Sequence, residues 1–151
     1  MAFTSVAALG ATFAALISLK LGLAPLALFI GWAAFLSRPT SWSDDLATGS
    51  CVWLGIALGA AATLIVSRLT PVLGTGAAFA VTVFATTCVV VSFRNVPAVN
   101  NILAWCLGLF AFIAAHEEPS FSATLELAAT VSAGMMTARL VQAVQASLSL
   151  R

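Results

Sequence analysis

An all-α bundle of membrane-spanning helices is the fold class this sequence predicts. Its 151 residues are 62% hydrophobic and only 7% charged, whereas soluble domains carry roughly 25% charged residues. The mean hydropathy is +1.10. The six basic residues, Lys20, Arg38, Arg68, Arg94, Arg139 and Arg151, punctuate the chain. Between them lie nearly uncharged stretches near the length of a membrane helix, roughly 17 to 25 residues. Six basic and five acidic side chains cannot build a water-facing surface. The apolar runs are continuous and rich in Ala, Leu and Gly. A membrane β-barrel would instead show alternation in stretches of about 10 residues.

Six apolar segments follow in order. The first, about Phe3 to Leu19, has no basic residue ahead of it and runs on into more apolar sequence. It therefore reads as a retained helix and not as a cleaved signal. Lys20, Leu21 and Gly22 link it to the second, about Leu23 to Leu36. A polar loop from Ser37 to Thr48 holds Pro39, Trp42, Asp44 and Asp45. The third segment is about Gly49 to Val66, and Arg68, Thr70 and Pro71 separate it from the fourth, about Val72 to Phe93. Arg94, Asn95, Pro97, Asn100 and Asn101 precede the fifth, Ile102 to Ala115. His116, Glu117, Glu118 and Pro119 form a polar turn before the sixth, about Phe121 to Leu140, and an amphipathic tail ends at Arg151.

Crossing ~30 Å of hydrocarbon takes about 20 helical residues, and the second and fifth segments fall short of that. The alternatives are six spans, or five plus a re-entrant element. A re-entrant backbone is tolerated only where protein or a water cavity satisfies it. No linker or low-complexity stretch divides the chain, so residues 1–151 read as one integral membrane domain. With six spans and the N-terminus inside, Arg38, Arg94, Arg139 and Arg151 fall on the cytoplasmic side, against Lys20 and Arg68 outside. The positive-inside rule then predicts that both termini are cytoplasmic. Arg139 is expected to snorkel to that face, and Trp42 to sit at an interface.

Several functional classes drop out. The net charge is +1 with no basic cluster, which excludes a nucleic-acid footprint. Cys51, Cys88 and Cys106 are widely spaced with no CxxC, so they read as small buried hydrophobes and not as a disulfide or metal framework. No GxSxG, HExxH or phosphate-cradling loop is present. The lone His116 removes Ser-His and multi-His arrangements. The expectation is no enzyme, no cofactor and no metal.

Four features carry functional readings, each with a plainer rival. Gly55 and Gly59 stand at GxxxG spacing with Ala62 one turn on, and Gly134 lies in the sixth segment. Small residues let helix backbones approach closely in lipid, within one chain or between copies. Glu126 stands about five residues inside the sixth segment. An ionisable group inside a span is a functional hypothesis by default, but about one and a half turns from the boundary it can also reach water. His116, Glu117 and Glu118 could join Glu126 in an acidic mouth that concentrates cations or polar solutes, or simply be a solvated turn. Asn95, Asn100 and Asn101 around Pro97 could line a polar constriction, or be ordinary loop formers.

Gly31-Trp32-Ala33-Ala34-Phe35, Phe93-Arg94-Asn95-Val96-Pro97, the polar turn from His116 to Pro119 and the small-residue helix with Gly134 occur in this order. In these strings the chain resembles a family of small bacterial inner-membrane proteins catalogued as domain of unknown function 1097. The resemblance implies a polytopic protein of the bacterial inner membrane and carries no activity with it. The residues themselves suggest a channel or transporter for a small polar or weakly basic solute. A bundle this small encloses little, so a homo-oligomer in the lipid bilayer is the expected working form. The rival is a non-transporting accessory or scaffold subunit, consistent with how few polar groups the spans contain.

Overall fold

The computed structural model describes residues 2–20, 22, 24–37, 41–116 and 118–149. Their regular structure is all helical: α1 (Ala2–Lys20), α2 (Pro25–Phe35), α3 (Trp42–Leu73), α4 (Thr75–Ser92), α5 (Ile102–Ala115) and α6 (Phe121–Ser149). One 3-10 turn, Phe93–Asn95, follows α4. Three helices, α3, α4 and α6, are long and apolar enough to cross a membrane. The 11 residues of α2 and the 14 of α5 make helices of about 16 and 21 Å. Both fall short of the ~30 Å hydrocarbon core.

Helix α3 is longer at both ends than the apolar pattern suggests. It starts at Trp42, inside the polar stretch, because Ser41 caps it: the Ser41 Oγ accepts from the Asp44 N–H at 3.1 Å. Asp44 and Asp45 in its first turn complement the positive end of the helix dipole. At its other end the helix continues through Arg68 and Thr70 and admits Pro71. The break comes at Gly74, with φ 78° and ψ 158°, a region open essentially to glycine alone. This single residue joins α3 to α4. Gly74→Ala should cost about 1–3 kcal/mol from backbone strain, since nothing lies within 4 Å of an added Cβ. Thermal unfolding of the purified protein checks this against Gly76→Ala, an equally open helical position with no left-handed φ, which should be neutral or slightly stabilising.

The helix neighbours follow a rule. Helix α2 packs chiefly on α6, and α5 chiefly on α3. Outside these, α1 lies on α6 and α4 on α3. Exchanging α1–α3 with α4–α6 leaves this pattern unchanged. Each half holds three helices, an odd number, so the halves run in opposite directions. The fold is an inverted repeat whose pseudo-two-fold axis crosses the helices. The contacts of α2 with α5 and of α3 with α6 straddle that axis.

The sequence carries the same relation. Leu26, Ala27, Gly31, Ala34 and Phe35 of α2 recur 77 positions on as Leu103, Ala104, Gly108, Ala111 and Phe112 of α5. The paired environments agree: Leu26 and Leu103 are each 55% exposed, while Ala27, Ala34 and Phe35 are buried like their counterparts. Ser41, Ser43, Leu46, Val52 and Gly55 recur 79 positions on as Ser120, Ser122, Leu125, Val131 and Gly134. Even the cap is repeated, for the Ser120 Oγ accepts from the Ala123 N–H at 3.1 Å.

Both main helix crossings are built on glycine. At the α2–α6 crossing an ideal Cβ on Gly31 would lie 2.0 Å from the Val131 carbonyl oxygen, and one on Gly134 would lie 2.0 Å from that of Leu28. At the α3–α5 crossing the matching distances are 2.2 Å from Gly55 to Trp105 and 2.1 Å from Gly108 to Val52. In every case the glycine sits on the carbonyl three residues before the glycine of the other helix. Gly59 extends the second crossing toward the Cβ of Phe112, at 2.9 Å. Lipid tails supply no hydrophobic drive for helix pairing, so such backbone proximity supplies the attraction. Between the crossings Val52, Ile56, Phe112 and Val131 are fully buried and fill the centre of the bundle with apolar side chains.

Candidate functional site

The two ends of the bundle differ. One end, here the Arg139 end, gathers the start of α3, the start of α5 and the C-terminal part of α6. The other, the Glu126 end, gathers the start of α6, the end of α5 and the α1–α2 link.

The asparagines lie at the Arg139 end. Asn101 is buried and caps α5, its Oδ1 accepting from the Ala104 N–H at 3.2 Å. Its amide donates to the Ser37 Oγ at 2.8 Å and to the Thr48 Oγ1 at 3.2 Å. One side chain thus joins α5, α3 and the turn after α2. Asn95 is exposed and Asn100 half-buried. The loop that carries them is held by Trp105, which donates to the Val99 carbonyl at 2.9 Å and stacks on Phe93 with ring centroids 5.6 Å apart.

His116, Glu118 and Glu126 lie at the opposite end. His116 closes α5 in the left-handed region at φ 54°, with its Nδ1 2.9 Å from the Ala114 carbonyl. Glu118 is exposed, and Glu117 lies outside the described residues. Glu126 is exposed and borders a cavity of about 170 Å³ with Gly22, Ala24, Ala115, Leu127 and Thr130. Neither His116 nor Glu118 reaches that cavity. The structure therefore brings the asparagines to one end and His116, Glu118 and Glu126 to the other, with the packed core between them.

A second cluster was not apparent from spacing. Arg139 does not extend freely to an interface. It forms an ion pair with Asp45, and its guanidinium carbon stacks 4.0 Å above the Trp42 ring. The pair ties α6 to α3 at their shared end. These residues border a cavity of about 240 Å³ with Phe35, Ser50, Trp53 and Met136. At its end toward the middle of the helices the exposed Trp53 donates through Nε1 to the Ser132 Oγ at 2.9 Å. Trp53 and Ser132 are 79 positions apart, so each is the other's counterpart in the repeat. Their hydrogen bond lies on the pseudo-two-fold axis, and the cavity runs from one end of the bundle to its midpoint.

A larger cleft of about 530 Å³ opens between α3, α4 and α5, lined by groups such as Val66, Phe79, Val83 and Phe110. Two threonines beside it are internally engaged: the Thr82 and Thr86 hydroxyls donate to the Ala78 and Thr82 carbonyls at 2.8 and 2.9 Å. Of the cysteines, Cys51 is buried, Cys106 half-buried and Cys88 exposed on α4.

Asp45 and Arg139 are far apart in sequence and on different segments, so no motif links them. The signal that could have found the site is the repeat itself, the LAxxxGxxAF pattern of α2 and α5. Once the halves are aligned, Trp42, Asp45 and Arg139 stand out because their counterparts are Phe121, Thr124 and Ala60.

No curated protein and no solved structure matches the chain. A family model, described as Protein of unknown function (DUF1097), matches residues 4–145, and the chain belongs to that family.

Proposed function

We propose that this protein moves a small solute across a membrane by alternating access. On this reading it is a multi-pass, non-enzymatic protein of six helices in the bacterial inner membrane, with cytoplasmic termini, and it works as a homo-oligomer. The observation that carries the reading is the inverted repeat with short helices, α2 and α5, at equivalent places in its halves. Paired short segments of this kind mark the solute site in many transporters, and exchanging the conformations of the halves opens the opposite face. The cavity ending at Trp53 and Ser132 would be half of such a pathway. Its other half would form around Ala128 and Ala129, the counterparts of Gly49 and Ser50. The closely packed apolar core favours the rival reading of an accessory or scaffold subunit, in which the halves do not move.

Cysteine accessibility separates the two without knowledge of the solute. Ser50→Cys and Ala129→Cys are placed singly in a background lacking the three native cysteines, in sealed vesicles. A membrane-impermeant maleimide should label the first from the Arg139 face and the second from the Glu126 face. If neither site reacts from either face in folded protein, the transport reading fails and the scaffold reading replaces it.

A further inference from the structure

We infer that the cavity at the Arg139 end binds an oxyanion that carries an apolar body. The guanidinium is permanently charged and has five N–H donors in a planar fork. Asp45 takes one part of the fork and Trp42 covers one face. The Arg139 side chain is still 32% exposed, against 16% for Asp45. Both side chains border the cavity, and guanidinium donors not engaged by Asp45 would suit a carboxylate or a phosphate.

The rest of the wall selects for the body of the ligand. Phe35, Leu46, Trp53, Met135 and Met136 border the cavity, and methionine adapts readily to irregular apolar shapes. Ser50 and Ser132 are the uncharged polar side chains among the lining residues. A volume of about 240 Å³ suits a body of one aromatic ring or a short alkyl chain.

The fold gives an independent reason. At the equivalent place in the other half the structure has Phe121, Thr124 and Ala60, and the same helix packing forms without a charge. The ion pair is therefore not required by the repeated architecture. Local departures from an otherwise consistent design are where function is expected.

This inference names a ligand class for the transport reading, but its test reads binding, so flux and binding can fail separately. The oxyanion could be a small organic acid from water or an anionic lipid headgroup. The probe is radiolabelled benzoate, bound to the full chain in phosphatidylcholine nanodiscs and followed by scintillation proximity. Saturable binding is expected, with competition by hexanoate and none by acetate or benzylamine. Arg139→Gln should weaken it at least roughly tenfold, as loss of a charge-assisted contact does. Arg139→Lys should weaken it too, because the charge stays but the fork is lost. Asp45→Asn should tighten it by roughly threefold or more, since it releases donors and removes a competing negative charge. Structural damage would not move the two positions in opposite directions. If phosphatidylglycerol abolishes benzoate binding in the wild type and is itself retained by the wild type but not by Arg139→Gln, the site is an oxyanion site whose natural occupant is lipid. No saturable benzoate binding in either the wild type or Asp45→Asn, with phosphatidylglycerol also not retained through Arg139, overturns the inference. So does equal binding by wild type and Arg139→Lys.

Discussion

Gly55→Ala should force α3 and α5 apart and lower stability by on the order of 3 kcal/mol, at the upper end of what overpacking a core costs. The new Cβ would meet the Trp105 carbonyl oxygen at 2.2 Å and the Leu109 nitrogen at 3.1 Å. These are backbone atoms of a helix, so no side-chain rotation relieves the clash. The carbonyl can move only if the whole crossing opens, and the core around Val52 and Phe112 would open with it. Gly31→Ala, Gly108→Ala and Gly134→Ala should behave alike, because each meets a carbonyl at 2.0 to 2.1 Å. The double variant Gly55→Ala/Gly108→Ala should cost less than the sum of its parts, since the first substitution already separates the helices. Thermal unfolding in detergent, followed by size-exclusion chromatography, measures both effects. A change no larger than that of Gly76→Ala would mean that these helices do not touch at the glycines.

Asn101→Leu should destabilise the protein by on the order of 2–4 kcal/mol, combining a lost helix cap with buried groups left unpaired. The cap bond to Ala104 disappears. The Ser37 and Thr48 hydroxyls each lose the donor they accept from, and Thr48 is buried. Asn101→Asp should be milder, because its carboxylate still caps the helix, although it cannot donate to either hydroxyl. Asn95→Leu, at an exposed position, should stay within about 0.5 kcal/mol. Denaturant unfolding should rank Asn101→Leu as the least stable of the three variants, Asn101→Asp next and Asn95→Leu nearest the wild type. A lower flux in Asn101→Leu would therefore report a weakened fold before it reported a lost solute contact.

The helices themselves were legible because hydropathy and charge fix where apolar chain begins and ends. The shortness of the second and fifth segments was visible too, and it marks the elements that hold the centre of the fold. The ends of α3 were not visible in hydropathy. Its start depends on the Ser41 cap and its end on the backbone of Gly74, while Arg68 and Pro71 look like a break and are helical. Gly55, Gly59 and Gly134 could be read as small faces, but their partners could not, since each crossing needs a glycine on both helices. Gly31 and Gly108 become meaningful only when the halves are compared. The asparagines and the acidic turn drew attention as polar groups in an apolar chain. What decides their roles is three-dimensional: Asn101 lies against Ser37 and Thr48, and Glu126 lies an entire bundle away from it.

The odd number of helices in each half has a consequence for ancestry. If all three helices of each half cross the membrane, a unit copied in tandem cannot keep its orientation, because the second copy enters the other way up. If the two halves descend from one gene, that gene encoded a chain able to insert in both directions and to pair with its own inverted copy. The present chain keeps a trace of this ambivalence. Lys20 closes α1 and Arg94 follows α4, at equivalent places in halves that point oppositely, so as orientation signals they cancel. On that ancestry, any preferred orientation would have to come from charges that the halves do not share, and Arg139, opposite Ala60, is one of them.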